Sequence, residues 1–144
     1  MIVLVQMPYA AIEHASIALG ILQSEIKKEG LACRSLYPNL DWYRELGHDL
    51  YASISATLAQ DLVGEWTFSE AAFGALPEEE DSYLQFISGR SSMARRVSPI
   101  KELREVRTRV AAYVERVADE VLALAPRIVG CSSTFQQHCL GVFV

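Results

Sequence analysis

Hydroxyl-bearing residues cluster at one point of the chain where a ligand could bind. An apolar run that begins at Ile128 is followed by three such residues, Ser132, Ser133 and Thr134. In open parallel sheets, ligands bind beyond the carboxyl ends of the strands, and the first amides of a following helix favour a polar or anionic group. A Ser or Thr at this position also caps helices without any ligand. The pattern therefore leaves a polar ligand site and a simple helix cap as alternatives.

Cysteine and histidine form the second group with possible chemistry. His138 and Cys139 are adjacent, but neighbouring helical residues point in different directions, so this histidine is not placed to activate this thiol. Cys131 lies in an apolar run, which is typical of an inert core thiol. The three cysteines lack the paired spacing of a zinc site. A small hydrolase that uses Cys131 or Ser133 stays an alternative, although the sequence shows no base for it.

Two further patterns concern phosphate and aromatic ligands. The sequence contains no GxxxxGK[ST] motif and no GxGxxG after its first apolar run, which argues against the usual phosphate loop and dinucleotide site. The segment 64–68 places Trp66 and Phe68 beside Glu65. Aromatic rings beside a carboxylate can line a pocket, but such clusters more often pack in a core. The alternative is therefore a core helix in which Trp66, Phe68 and Phe73 are buried.

Three apolar runs predict the strands of a parallel sheet. They lie at residues 2–7, 32–37 and 127–131, and continuous apolar runs are typical of strands that are covered on both faces. Between the first two runs, Ser16 predicts the cap of a helix that ends at Gly30. A strand–helix–strand unit of this length favours a right-handed parallel crossover. We therefore expect the first strand to be central, with the other two as its neighbours.

Further helices are predicted at residues 41–59, 77–87 and 99–125. The last of these carries an apolar stripe with steps of three and four. Because this helix is longer than the predicted strands, we expect part of its stripe to lack a partner within the chain. The fold class is thus α/β, with one domain over residues 1–144 and an incomplete Rossmann-like parallel sheet of about three strands plus additional helices.

Composition excludes several classes of protein. The 144 residues are 51% hydrophobic and carry a net charge of −5, which argues against a disordered chain and against a general nucleic-acid binder. The apolar stretches are too short to span a membrane, and no charged region precedes the apolar start as in a secretory signal. An odd number of cysteines favours a reducing compartment, so we expect a cytoplasmic protein.

Several segments together resemble the N-terminal cobalamin-binding domain of RiPP maturation radical SAM C-methyltransferases. They read VLVQMPYA at residues 3–10, HASIALGIL at 14–22, LVGEWTFSEAAFG at 62–74 and PRIVGCSSTFQQ at 126–137. The resemblance covers most of the chain and the front part of that family's architecture.

The resemblance implies a fold, a cofactor and a set of binding residues. It implies a truncated cobalamin-binding-type domain, not catalytic alone, from a B12-dependent enzyme that methylates a ribosomally made precursor peptide. Cobalamin would be the cofactor of the full-length enzyme. The residues that the resemblance and the strand ends assign to the cofactor rim are Met7, Pro8, Tyr9, Ser132, Ser133 and Thr134. The chain would be either a fragment or a naturally short protein.

Two departures from the family pattern limit what this chain can do. It has no CxxxCxxC motif, so we expect no iron–sulfur cluster, no catalytic residue and no metal ligand in it. It also has no DxHxxG motif, so any bound cobalamin would lack a histidine ligand from the first loop. In the family, strands and turns after the strand at Ile128 shelter the nucleotide tail. We therefore expect this chain alone to bind cobalamin weakly or not at all.

An alternative function is a non-catalytic module for self-association or partner binding that has lost the cofactor. An open sheet edge presents unpaired amides and carbonyls, which favour pairing with another strand. The long helix over residues 99–125 could bury its stripe against a copy of itself. We therefore expect a homo-oligomer, with this helix or the strand edge in the interface, and no nucleic-acid or membrane partner.

Overall fold

Three short strands form a parallel sheet, and the first strand of the chain is the central one. β1 (Ile2–Gln6) lies between β2 (Cys33–Leu36) and β3 (Ile128–Ser132). Both pairings are parallel and start at Ile2. The sheet belongs to a computed structural model that describes residues 1–57, 59–75, 77–89 and 100–133. The predicted α/β class, strand order and strand direction are confirmed.

The first crossover helix, α1 (Ile17–Lys28), begins where the sequence predicts it. The amide of Leu19 donates a hydrogen bond to Ser16 Oγ at 3.3 Å, which satisfies one of the free amides of the first turn. The chain leaves the helix through Gly30, whose φ of +72° is easily adopted only without a side chain. Leu19 is buried against the sheet, whereas the outer side of the helix exposes Ile17, Ile21 and Leu22.

The helix predicted over residues 41–59 is wrong in one respect, because the structure contains two helices there. They are α2 (Pro38–Leu46) and α3 (His48–Ser55), and Gly47 separates them with a φ of +83°. Glycine adopts this left-handed conformation at little cost, and it ends the hydrogen-bond ladder of α2. The apolar spacing of four continues across the break, so the periodicity alone does not reveal it.

Three longer helices complete the layer that covers one face of the sheet. They are α4 (Val63–Phe73), α5 (Pro77–Ser88) and α6 (Ile100–Ala123). Arg107 of α6 holds this layer together: its guanidinium lies 4.3 Å from the centre of the Trp66 ring and 3.1 Å from the Glu70 carboxylate. The Trp66 ring also stacks on the ring of Tyr83 of α5, with 5.3 Å between the ring centres. Aromatic and charged contacts of this kind fix α5 to α4 and α6.

Most of the described stripe of α6 is buried inside the chain. Seven members are each at most 8% exposed: Leu103, Val106, Val110, Tyr113, Val114, Val117 and Val121. The expectation that part of this stripe lacks a partner is wrong for these seven residues, because α2 and α4 pack on α6. Pro99, the predicted helix start, lies outside the described residues. Within the described ranges, no helix has the length and apolar character needed to cross a membrane.

The two faces of the sheet are covered unequally. Val3 and Val5 of β1 face the layer of α2 to α6 and belong to its core, whereas Leu4 is buried on the other face. On that second face α1 packs against β1 and β2. Ile128 of β3 remains 59% exposed. The described residues therefore build a thick layer on one side and a single helix on the other.

Replacing a buried leucine of α6 should destabilise the fold strongly. Leu103 is 0% exposed, so Leu103→Ala leaves a cavity in the core, and we expect the free energy of unfolding to fall by about 2–5 kcal/mol. Leu122→Ala on the same helix is the matched control, because Leu122 is 68% exposed and its loss should change stability by less than about 0.5 kcal/mol. Urea denaturation followed by circular dichroism measures both. If Leu103→Ala and Leu122→Ala lowered the free energy of unfolding equally, the burial of the apolar stripe of α6 would be contradicted.

Candidate functional site

The carboxyl ends of β1 and β3 meet, as expected for a ligand site of an open parallel sheet. The amide of Met7 donates a long hydrogen bond of 3.4 Å to Ser132 Oγ. This contact joins the loop after β1 to the hydroxyl-rich segment after β3. Ser133 is exposed beside it. Thr134, the last of the predicted rim residues, lies outside the described residues.

Two of the predicted rim residues direct their side chains into the protein. Met7 is fully buried, and Tyr9 is 6% exposed; Pro8 between them is also buried. Tyr9 has a φ of +62°, which is a costly conformation for a residue with a side chain. The turn places its ring 5.5 Å from that of Tyr51 and 6.0 Å from that of Phe68. The buried side chains of Met7 and Tyr9 thus anchor the loop after β1 to the core.

A short hydrogen-bond chain fixes Tyr9 to α4. Thr67 Oγ1 donates to the carbonyl oxygen of Gly64 at 2.7 Å. Because a threonine hydroxyl has a single proton, the 2.9 Å contact between Tyr9 Oη and Thr67 Oγ1 has the tyrosine as donor. Trp66 and Phe68 on either side of Thr67 are buried. Residues 64–68 therefore pack in the core, and the pocket interpretation of this segment is not supported. The expected burial of Phe73 is wrong, because this last residue of α4 is 66% exposed.

Two more tyrosines hold the loops at the carboxyl end of the sheet, and the sequence analysis missed both. Tyr51 Oη of α3 donates to the Ala10 carbonyl at 2.7 Å, and Tyr113 Oη of α6 donates to the Pro38 carbonyl at 3.0 Å. Tyrosines within apolar helical stripes are a usable signal, because a buried tyrosine hydroxyl needs a partner. Here the partners are the loop after β1 and Pro38, the first residue of α2.

An open groove of about 330 Å³ lies between the loop after β1 and α3. Its walls carry Glu13 and His48 at the surface, and small side chains such as Ala52 form the rest. Ser55 Oγ donates to the Tyr51 carbonyl, so this hydroxyl is not arranged as a nucleophile with a base. The groove can hold a small polar group or one edge of a larger ligand.

Acceptor atoms without partners lie at the same end of the sheet. Gln6 is the last residue of β1 and pairs in register with Ser132; Asn39 follows β2 and is buried. Gln6 Oε1 and Asn39 Oδ1 are buried atoms with no hydrogen-bond partner among the described residues. A buried acceptor without a donor is costly. Both atoms are enclosed by protein, so a ligand that offers hydrogen-bond donors, such as carboxamide groups, would first meet Ser132 and the exposed Ser133.

The thiols and acids show no reactive or metal-binding arrangement in the described part of the chain. Burial raises the pKa of the Cys131 thiol, which disfavours the nucleophilic thiolate and agrees with the prediction of an inert core thiol. No group of three or more potential metal ligands comes together among the described residues. The His138 and Cys139 pair lies outside these residues.

The buried Tyr9 hydroxyl should make the fold sensitive to alkaline pH. Desolvation by burial raises the pKa of Tyr9 from 10.0 to about 12. The folded chain thus holds this proton more tightly than the unfolded chain, so stability present below pH 10 is lost as the pH rises toward 12. The difference between the two pKa values corresponds to roughly 2–3 kcal/mol.

We expect Tyr9→Phe to lose about 0.5–1.5 kcal/mol at neutral pH, with the hydrogen bond to Thr67, but to lose less additional stability than the parent between pH 10 and 12. Tyr37→Phe, at an exposed tyrosine, is the matched control and should follow the parent. Urea denaturation at each pH checks this. If the free energy of unfolding of Tyr9→Phe fell with pH as steeply as that of the parent, the pKa of Tyr9 would be the same in the folded and unfolded chains, which would contradict the prediction.

Comparison with known proteins identifies no family for this chain: no family model matches it, and neither a curated protein nor a solved structure does so.

Proposed function

We propose that this chain is a corrinoid-binding α/β domain of the kind found at the N-terminus of peptide-modifying, B12-dependent radical SAM methyltransferases, and that it is not catalytic alone. One observation carries the proposal: the loop after β1 and the hydroxyl segment after β3 meet at the carboxyl edge of a parallel sheet, through Met7 N and Ser132 Oγ. This edge is where open α/β sheets bind their ligands. The resemblance of the same two segments to that family selects the class of ligand.

The residues at this edge fit one side of a cobalamin molecule. Its corrin ring carries carboxamide groups, which are hydrogen-bond donors. Ser133 is exposed beside Ser132, so a hydroxyl at this edge is open to such groups. The groove beside α3 has a volume of about 330 Å³, at the low end for ligand sites, and it borders the loop after β1 and not the end of β3.

The chemistry that cobalamin supplies when bound is the transfer of a methyl group. The residues of this chain would position the cofactor and take no part in bond making. Three tyrosine hydroxyls fix the backbone near this edge. Those of Tyr9 and Tyr51 hold the loop after β1 in place, and that of Tyr113 binds the Pro38 carbonyl at the start of α2. The free thiols of Cys33 and Cys131 support a reducing, cytoplasmic setting. A ribosomally made precursor peptide would be the substrate of the full enzyme.

Titration with hydroxocobalamin, followed by visible absorption and equilibrium dialysis, tests the proposal. Of the two outcomes expected from the sequence, weak binding or none, the proposal requires weak but saturable binding of one cobalamin per chain, with a Kd of roughly 0.1–1 mM. Ser133→Tyr places a bulky ring at the rim and should raise the Kd at least about tenfold, which corresponds to ~1.4 kcal/mol. Ser24→Tyr, at an exposed serine of α1, is the matched control and should leave the Kd within about twofold.

A second substitution tests the mode of binding. His14 is exposed in the loop after β1 and is not part of a DxHxxG motif, so His14→Ala should leave the spectrum of bound cobalamin unchanged. A spectral change on this substitution would refute the histidine-free mode. Absence of saturable binding, or equal losses in Ser133→Tyr and Ser24→Tyr, would refute a cobalamin site at this edge.

A further inference from the structure

The groove between α3 and the loop after β1 is a second concave surface, separate from the candidate rim at the end of β3. It has a volume of about 330 Å³ and runs along one face of α3, on which His48, Ala52 and Ser55 follow each other at steps of four and three. Loop residues 10–13 form the opposite wall. The groove therefore has its own set of polar groups.

The two hydroxyl groups that line the groove have already used their protons. Tyr51 Oη donates to the Ala10 carbonyl, and Ser55 Oγ donates to the Tyr51 carbonyl. A hydroxyl has a single proton, so neither group has a donor left for a ligand. Ser55 Oγ keeps a lone pair with which it can accept a hydrogen bond. A ligand of this groove must therefore bring its own donors.

The charge on the loop side of the groove is negative. Glu13 is exposed, and its Oε2 accepts a hydrogen bond from the Ile12 amide at 3.2 Å, which holds the carboxylate at the groove wall. Burial raises the pKa of the Tyr51 hydroxyl, and the charges of Tyr9 and Glu13 raise it further. The field of the Glu13 carboxylate thus reaches the side chain of α3 that faces it.

The C-terminal end of α3 adds partial negative charge from the helix side. The groove reaches Ser55 and Ala56, which are the last residue and the C-cap of this helix. Carbonyl oxygens at a helix C-terminus favour a nearby cation, and α3 has no basic residue in its last turn that could supply one. The loop and the helix therefore both favour a positively charged group in the groove.

The remaining walls of the groove are small and apolar. Ala10, Ala11, Ala52 and Ala56 line it together with Ile12. A volume of about 330 Å³ is at the low end for ligand sites, and methyl groups along the walls suit an aliphatic chain. The groove is thus complementary to a short apolar chain that ends in a charged hydrogen-bond donor.

We propose that this groove binds a primary ammonium group on a short alkyl chain, as carried by a lysine side chain or by a small aliphatic amine. An ammonium group has three donors and no acceptor, which matches the acceptors of Glu13, Ser55 and the end of α3. An anionic ligand would meet like charge from the loop and from the helix. The site does not depend on cobalamin, because the groove borders the loop after β1 and α3. Failure of either proposal therefore leaves the other standing.

Amide chemical shifts of the ¹⁵N-labelled, cofactor-free chain test the proposal with two probes, butylammonium and Nα-acetyl-lysine methylamide. We expect saturable shifts in residues 10–13 and 48–56, with a Kd of about 1–10 mM for at least one probe. Binding of the lysine probe alone would assign the site to peptides, and binding of butylammonium alone would assign it to small amines. The neutral Nε-acetyl form of the lysine probe should bind at least about tenfold more weakly than the better charged probe.

A pair of charge-removing variants locates the bound ammonium. Glu13→Gln should raise the Kd at least about threefold, the effect expected for an exposed ion pair. Glu29→Gln is the matched control: it removes the same charge at the exposed C-cap of α1 and should leave the Kd within about 1.5-fold, because solvent and salt screen a distant charge.

Circular dichroism shows whether each variant is folded. If Glu13→Gln does not fold, the comparison of the charged and neutral probes on the unmodified chain decides instead. The absence of saturable shifts in these residues up to about 100 mM of either probe would overturn the proposal. Equal binding of the neutral probe would overturn it as well, as would equal effects of Glu13→Gln and Glu29→Gln.

Discussion

A buried group of aromatic rings joins three helices to the loop after β1 and so holds the main elements of this fold together. The ring of Trp42 lies 4.5 Å from that of Tyr113 and 5.6 Å from that of Phe68, measured between centres, and Tyr9 contacts Phe68 at 6.0 Å. These residues come from α2, α6, α4 and the loop after β1. A buried tyrosine hydroxyl must find a hydrogen-bond partner. Tyrosines in and beside this group therefore also bind backbone carbonyls at the carboxyl end of the sheet. Tyr113 and Tyr51 reach Pro38 at the start of α2 and the loop after β1 in this way.

This arrangement explains why the two sides of the sheet differ. The aromatic group and the stripe of α6 lie on one face, and they cover Val3 and Val5 completely. The other face has α1 over β1 and β2, so β3 is left with an exposed Ile128. Tyrosines of α3 and α6, which lie on the side with five helices, bind the backbone at the carboxyl end of the sheet. In the described part of the chain, no helix packs on β3 from the α1 side in the same way.

Much of the fold could be predicted from residue patterns, because those patterns express local physics. Continuous apolar runs predicted the three strands, and Ser16 predicted the start of α1, since a side-chain oxygen satisfies free amides there. The break at Gly47 could not be seen in the apolar spacing, because α2 and α3 keep the same period on either side of it. The burial of the α6 stripe was also not predictable, as it depends on where α2 and α4 lie.

Residue patterns were enough to predict the strands, their parallel order and the polar character of the rim, because periodicity and crossover handedness act through neighbouring residues and short connections. Contacts between distant parts of the chain set which rim residues face outward. Met7 and Tyr9 belong to the predicted rim, but both are buried. A positive φ at Tyr9 and a hydrogen bond to Thr67, 58 positions away, turn the tyrosine ring inward. Side-chain direction at a strand end depends on partners that are distant in sequence, and residue order contains no local signal for them.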